Sequence, residues 1–288
     1  MKLLKDLYRH YIRSNTFEKG AALSYYTVFS FLPITMIITS ILGILFKEDA
    51  ISGELNKVLI SIVGDQGALQ FDDIIKNQHL YHNNKFTAII GFGTLLLAAT
   101  GMFNQIQKSL NAIWGLKAKP EKSALNYFAR HITSFLILII IGCIVLLSTT
   151  INSLFYKYSS KMPDAFVNAH LYEHLISFFL ITLLFAVLFR FIGTAIVPWK
   201  NALVSAGFTS ILFLIGKIAI GIYIAHSDIK STFGAASIIA LLMMWVYYSS
   251  QILFIGASFA YVFGQKIGFE IKPTNQAVRY VQKEIREK

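Results

Sequence analysis

Lys217 is the side chain in this sequence whose type and setting most demand a chemical reason. It lies about fifteen residues into a continuous apolar run, roughly 20 Å along a helix rising 1.5 Å per residue. An ammonium group at that depth either neutralises an anionic headgroup or substrate, or snorkels to the nearer polar surface. Arg190 is a second cation, at the end of a neighbouring apolar run and two turns before Pro198. It reads as a pathway residue or as an interfacial anchor. A third group is the quartet Asn104, Gln107, Lys108 and Asn111, which falls within about 100° of one helix face. Met102, Ile106, Leu110 and Ile113 take the opposite side. Such a stripe lines a hydrated route, or lies at a membrane interface with Lys108 reaching the headgroups.

Catalytic arrangements are scarce. His170-Leu-Tyr-Glu173-His174 fits the H-x-x-E-H pattern of inverted zinc proteases, but it opens an apolar run with no soluble domain around it. His79 and His82 share the expected outer face with it, which leaves an external metal site as a weak alternative. The single cysteine, Cys143, excludes an internal disulfide framework or zinc-thiolate site. No Gly-rich phosphate loop, nucleophile elbow or paired intramembrane carboxylate is present. We therefore expect no catalytic residues, no metal and no cofactor.

The elements that must position these residues are six long apolar blocks: Gly20–Phe46, Phe86–Trp114, Ile132–Phe155, Leu175–Val197, Ala202–Ala225 and Phe233–Gly264. Each supplies the roughly 20 apolar residues that a helix needs to cross a bilayer core of about 30 Å. Hydrophobic residues form 55% of the 288, and charged residues 14%, which is too apolar for a soluble domain of this length. The blocks are continuous rather than alternating, which disfavours strands, and backbone in lipid must satisfy its own hydrogen bonds. The expected fold is all-α: a polytopic membrane protein with six transmembrane helices. A basic segment 1–19 precedes the membrane domain 20–264, and a basic tail 265–288 follows it.

The net charge of +11 is distributed by side. Lys2, Lys5, Arg9, Arg13 and Lys19 precede block one, and Lys117, Lys119, Lys122 and Arg130 follow block two. Arg190 and Lys200 flank the turn between blocks four and five. Lys266, Lys272, Arg279, Lys283, Arg286 and Lys288 crowd the tail. The alternate loops are poorer in lysine and hold no arginine. Cytoplasmic loops are rich in Lys and Arg, so both termini are expected in the cytoplasm, facing anionic headgroups rather than nucleic acid. No apolar core with a small-residue cleavage site occupies the first nineteen residues, so block one is expected to act as its own uncleaved signal.

Several local features complete the pattern. Leu3, Leu4, Leu7, Tyr8, Tyr11 and Ile12 recur at helical spacing against Lys2, Lys5, Arg9 and Arg13. They describe a basic amphipathic helix lying on the inner membrane surface, or one packed on the cytoplasmic end of the bundle. Residues 47–85 form the longest connection and read as a small cap with two helical stretches. Pro33 follows Ser24, Tyr25, Tyr26, Thr27 and Ser30 in block one and is a candidate kink. Gly256, Ala260, Gly264 and Gly268 repeat every four residues, a spacing for close helix packing within the subunit or between copies in a homo-oligomer.

The order and spacing of several short pieces resemble the YihY, or virulence factor BrkB, family of bacterial inner-membrane proteins. They are Ala21-Ala22-Leu23-Ser24-Tyr25-Tyr26 with Ser30-Phe31-Leu32-Pro33, Asn111-Ala-Ile-Trp114, and Arg190 with Val197-Pro198-Trp199-Lys200. Lys217, Tyr223, Phe233-Gly234-Ala235, Trp245-Val-Tyr247 and Gly256-Ala257 continue the match. Two positions depart from it: Gly193 stands where the family often has proline, and Ser258 where it commonly has glutamate. An older ribonuclease label for some members finds no metal ligands here. The resemblance implies an inner-membrane protein moving envelope lipids or other solutes, and adds Tyr223 to the pathway candidates. The expectation is a translocator of an amphiphilic or anionic envelope component such as a lipid. The alternative is a non-transporting membrane scaffold or envelope-assembly factor.

Overall fold

A computed structural model describes residues 2–45, 101–119, 166–226 and 237–280 of the chain. The cap segment 47–85, most of blocks two and three, Cys143, Lys122, Arg130, Phe233-Gly234-Ala235 and residues 281–288 lie outside the described residues. So do the side chains of Pro33 and of the His170–His174 motif.

The described chain is mostly helical. Helix α1 spans Lys2–Arg13 and α2 Thr16–Leu45. Helix α3 covers 101–113, α4 Phe166–Phe191, α5 Trp199–His226 and α6 Ser237–Ile267. Among the described residues two helices are long and apolar enough to cross a membrane, Trp199–Tyr223 in α5 and Ile239–Ile267 in α6. Leu175–Phe191 of α4 is a shorter apolar helix. Helix α2 runs through Pro33 without interruption.

Turn chemistry ends the helices where the sequence permits it. Asn15 between α1 and α2 has φ 49°, a left-handed conformation that asparagine tolerates better than most residues. Lys19 donates its backbone N–H to the Asn15 carbonyl, and Thr16 Oγ1 bonds the Tyr11 carbonyl at 3.1 Å. Gly268, at φ 76°, stops α6 one residue after Ile267, as glycine does at a helix C-terminus.

The chain divides into two compact units. The first comprises Met1–Lys19, Ile106–Leu212 and Gln251–Lys288. Its core holds Leu110, Ile113, Phe189, Ile192, Val197, Ala206, Phe254, Ala257 and Ala260, all essentially inaccessible. The second comprises Gly20–Gln105 and Phe213–Ser250. Within it Tyr26 packs on Gly101, and the Tyr248 ring lies against Gly216, whose missing side chain makes the room. Ser24, Thr27 and Ser30 each return their hydroxyl to the carbonyl four residues earlier, so these polar groups of α2 satisfy themselves.

The first unit also contains strands that the all-α expectation did not include. Strand β1 (Leu116–Ala118) pairs antiparallel with β4 (Ala277–Arg279), and β2 (Ala195–Ile196) with β3 (Lys272–Pro273). The described part of the basic tail is thus folded onto two inter-helix turns. Strands of two or three residues carry no legible alternation, and their partners are far away in sequence. Periodicity could not have revealed them.

Candidate functional site

The densest set of polar contacts in the first unit surrounds the turn from Ile192 to Pro198, between α4 and α5. Gln107 Nε2 donates to the Ile192 carbonyl at 2.8 Å, and Asn111 Oδ1 accepts the Thr194 backbone N–H at 3.0 Å. Arg190 Nη1 donates to the Val197 carbonyl at 2.6 Å, and its guanidinium carbon sits 5.6 Å from the centre of the Trp199 ring. Trp199 in turn meets Phe191 edge-on at 6.0 Å. Three pathway candidates from the sequence, Gln107, Asn111 and Arg190, therefore converge on the backbone of one turn. The cause is local: a helix end leaves carbonyls and amides without helical partners, and buried ones must find side chains.

Trp114 closes the same region. Its Nε1 donates to the Ala257 carbonyl at 3.1 Å, tying the end of α3 to α6. A Cβ on Gly193 would come within 2.4 Å of Trp114 Cζ3, so the indole occupies the space of the missing side chain. Gly115, at φ 65°, then turns the chain into β1, and its carbonyl accepts the Tyr280 N–H at 2.8 Å.

The small-residue series of α6 faces α5 within the subunit. A Cβ on Gly256 would fall 1.9 Å from Thr209 Oγ1, and one on Gly264 2.4 Å from Asn201 Nδ2. Ala260, fully buried, presents its carbonyl to Asn201. Ser258, where the family resemblance expects glutamate, is fully buried. Its Oγ and Thr194 Oγ1 are buried without a hydrogen-bond partner among the described residues.

The remaining candidates lie elsewhere. Asn104 is half-buried and Lys108 exposed on α3. Lys217 and Tyr223 are exposed on the part of α5 that belongs to the second unit, alongside exposed Ile215, Ile218 and Ile222. Only Gly216 and Ile220 are buried in that stretch, so α5 packs there along a narrow line.

Sequence reasoning missed three contributors. Asn201 Nδ2 bonds the carbonyls of both Ala260 and Phe269 at 3.0 Å, while its Oδ1 accepts Ser205 Oγ. Tyr11 donates its hydroxyl to Gln251 Oε1 at 2.5 Å, and Gln251 Nε2 reaches the Thr16 carbonyl at 3.4 Å. His10 stacks on Tyr261, with ring centroids 4.3 Å apart, and its Nε2 lies 2.9 Å from the Ile113 carbonyl, to which it donates. The amides of Asn201 and Gln251 were legible by the rule applied to block two, that a polar group in an apolar helix needs a partner. Burial lowers the affinity of His10 for a proton, partly opposed by the Ile113 carbonyl. The hydrogen bond from Lys266, at 2.8 Å, holds the carboxyl of Asp6 below its ordinary range. Among the described residues no group of three His, Cys, Asp or Glu side chains could hold a metal ion.

The sequence matches the profile of the virulence factor BrkB family over residues 7–280. A UPF0761 membrane protein of Saccharophagus degradans is 26% identical over 262 residues, covering 88% of this chain and 58% of its own length. One from Psychrobacter sp. is 23% identical, with 90% of this chain and 47% of its own length covered. A Haemophilus influenzae relative, also a UPF0761 membrane protein, is 23% identical over 84% of this chain and 88% of its own. The chain thus spans about half the length of the first two. No solved structure matches it.

Proposed function

We propose that this chain, which belongs to the virulence factor BrkB family of membrane proteins, moves an amphiphilic or anionic envelope component, such as a lipid, between the leaflets of the bacterial inner membrane. In this reading residues 20–264 form six membrane-crossing helices with both termini in the cytoplasm, and 47–85 cap the outer face.

The observation that carries the proposal is Lys217: an exposed cation inside the apolar span Trp199–Tyr223, with exposed Ile215, Ile218 and Ile222 about 100–160° round the same helix from it. Such a side chain pairs with an anionic headgroup while the isoleucines accompany acyl chains, and Tyr223, two turns on, offers a hydroxyl toward the headgroup layer. Gln107, Asn111 and Arg190 then act by holding the Ile192–Pro198 turn rather than by lining the route. Asn104 and Lys108 remain available at the polar stripe. Movement is downhill or ion-coupled, with no cofactor.

The rival reading, a membrane scaffold, is favoured by one observation. Gln107, Asn111, Trp114, Arg190 and Asn201 each bond backbone groups of a neighbouring element, as fastening requires.

The test is leaflet exchange of a fluorescent anionic phospholipid in vesicles containing the purified protein, measured beside Lys217→Met. The proposal expects exchange above that of protein-free vesicles, lost in the variant while the fold is kept. Background exchange with the parent protein would overturn it for phospholipids and leave the scaffold reading.

A further inference from the structure

Helix α1 has three faces, not the two of an ordinary surface helix. Leu7 and Tyr11 are buried, and His10 and Asp6 contact α6 through Tyr261 and Lys266. A second apolar stripe, Leu4, Tyr8 and Ile12, repeats every four residues and stays 63%, 68% and 41% exposed. At about 100° per residue it is centred some 80° from the line of Leu7 and Tyr11, and about 130° from the whole packed face once Asp6 and His10 are included. The third sector holds exposed Lys2, Lys5, Arg9 and Arg13. Asp6, the acid of this helix, is paired with Lys266 at 2.8 Å, and Glu18 follows on α2.

We infer that α1 is an interfacial helix that sets Leu4, Tyr8 and Ile12 into the acyl boundary of the adjoining leaflet and gathers anionic lipid headgroups with Lys2, Lys5, Arg9 and Arg13. The occupant of the stripe is the bilayer for two reasons. Ser14 and Asn15 lead directly from α1 into α2, a helix whose sequence turns apolar from Gly20, with Phe17, 52% exposed, at the junction. Each stripe residue is also followed by a base, at Lys5, Arg9 and Arg13, which places cations at headgroup height when the stripe is sunk about 5–10 Å into the interface. The buried face meanwhile fixes the helix to the protein, so α1 binds lipid as part of the fold. The inference rests on the membrane assignment and not on transport.

The test uses the whole chain with Cys143→Ser, spin-labelled singly at Leu4→Cys, Lys5→Cys, Tyr8→Cys, Arg9→Cys or Ile12→Cys, in mixed phosphatidylcholine–phosphatidylglycerol vesicles. Labels at 4, 8 and 12 should be accessible to oxygen and shielded from a water-soluble nickel chelate, with the reverse at 5 and 9. Replacing Lys5, Arg9 and Arg13 together by Gln should lower the preference of the protein for spin-labelled phosphatidylglycerol by at least about fivefold, the effect of one such charge near an anionic surface. Equal nickel access at all five positions would place the stripe in water and overturn the inference. Shielding of 4, 8 and 12 from both reagents would assign the stripe to a protein partner, and an unchanged lipid preference would remove the headgroup role. Neither result bears on leaflet exchange, so the two proposals fail separately.

Discussion

Asn201 Nδ2 stands 3.0 Å from the carbonyl of Ala260 and 3.0 Å from that of Phe269, so one amide joins α5 both to α6 and to the turn beyond it. The contact depends on Gly264, because any Cβ there would strike the same nitrogen. Asn201→Leu strands the buried Ala260 carbonyl and the part-buried Phe269 carbonyl, and is expected to lose about 1–3 kcal/mol of stability. Thermal unfolding in detergent measures it. A variant as stable as the parent would show that the amide is dispensable.

Gly256 and Thr209 make a second dependent pair, with a 1.9 Å approach for any added Cβ. Gly256→Ala should destabilise by about 1–3 kcal/mol through overpacking, and adding Thr209→Ala should restore a good part of that. Additive losses in the double variant would mean that the helices relax apart instead.

Ser258 gives a prediction of opposite sign. Its buried hydroxyl has no partner among the described residues, so Ser258→Ala should cost nothing and can gain up to about 1 kcal/mol. Ser258→Glu, the residue that the family resemblance expects, should destabilise this chain, because it places a carboxyl in a buried position where even the serine hydroxyl has no partner among the described residues. A clear loss in Ser258→Ala would reveal a partner for the hydroxyl.

The pH dependence follows from His10, whose folded form resists protonation. Below its ordinary value of about 6.5 the unfolded chain takes up a proton that the folded chain declines. Stability is therefore complete above that value and falls as the pH drops from there toward the lowered folded value. His10→Gln should flatten this part of the profile in melting experiments between pH 5 and 8. The Asp6 carboxyl acts further into acid, its ion pair being lost only below the ordinary carboxylate range.

Much of this was legible in the sequence, for reasons that particular residues make plain. Apolar length alone marks the spans in α5 and α6, and the cost of a polar group in an apolar helix draws the eye to Gln107, Asn111 and Arg190. What the sequence could not say is which backbone groups they meet, since Ile192, Thr194 and Val197 expose amides and carbonyls whatever their side chains. The strands escaped for a related reason: their pairing is backbone to backbone. For α1 the sequence left membrane surface and bundle end open; His10 and Asp6 meet α6 in the structure, and the exposed stripe Leu4, Tyr8 and Ile12 is what the proposed lipid contact rests on.

The β1–β4 and β2–β3 ladders impose a timetable on biogenesis. Leu116 must find Arg279, and Ile196 must find Lys272, so each earlier segment leaves the ribosome with its edge unpaired. Helices α4, α5 and α6 are all made before that edge can be covered. Contacts so distant along the chain form last because the intervening loop must first be closed. Fastening of this end of the protein is thus expected late in folding, and until then the backbone of the two turns stands unpaired at a strand edge.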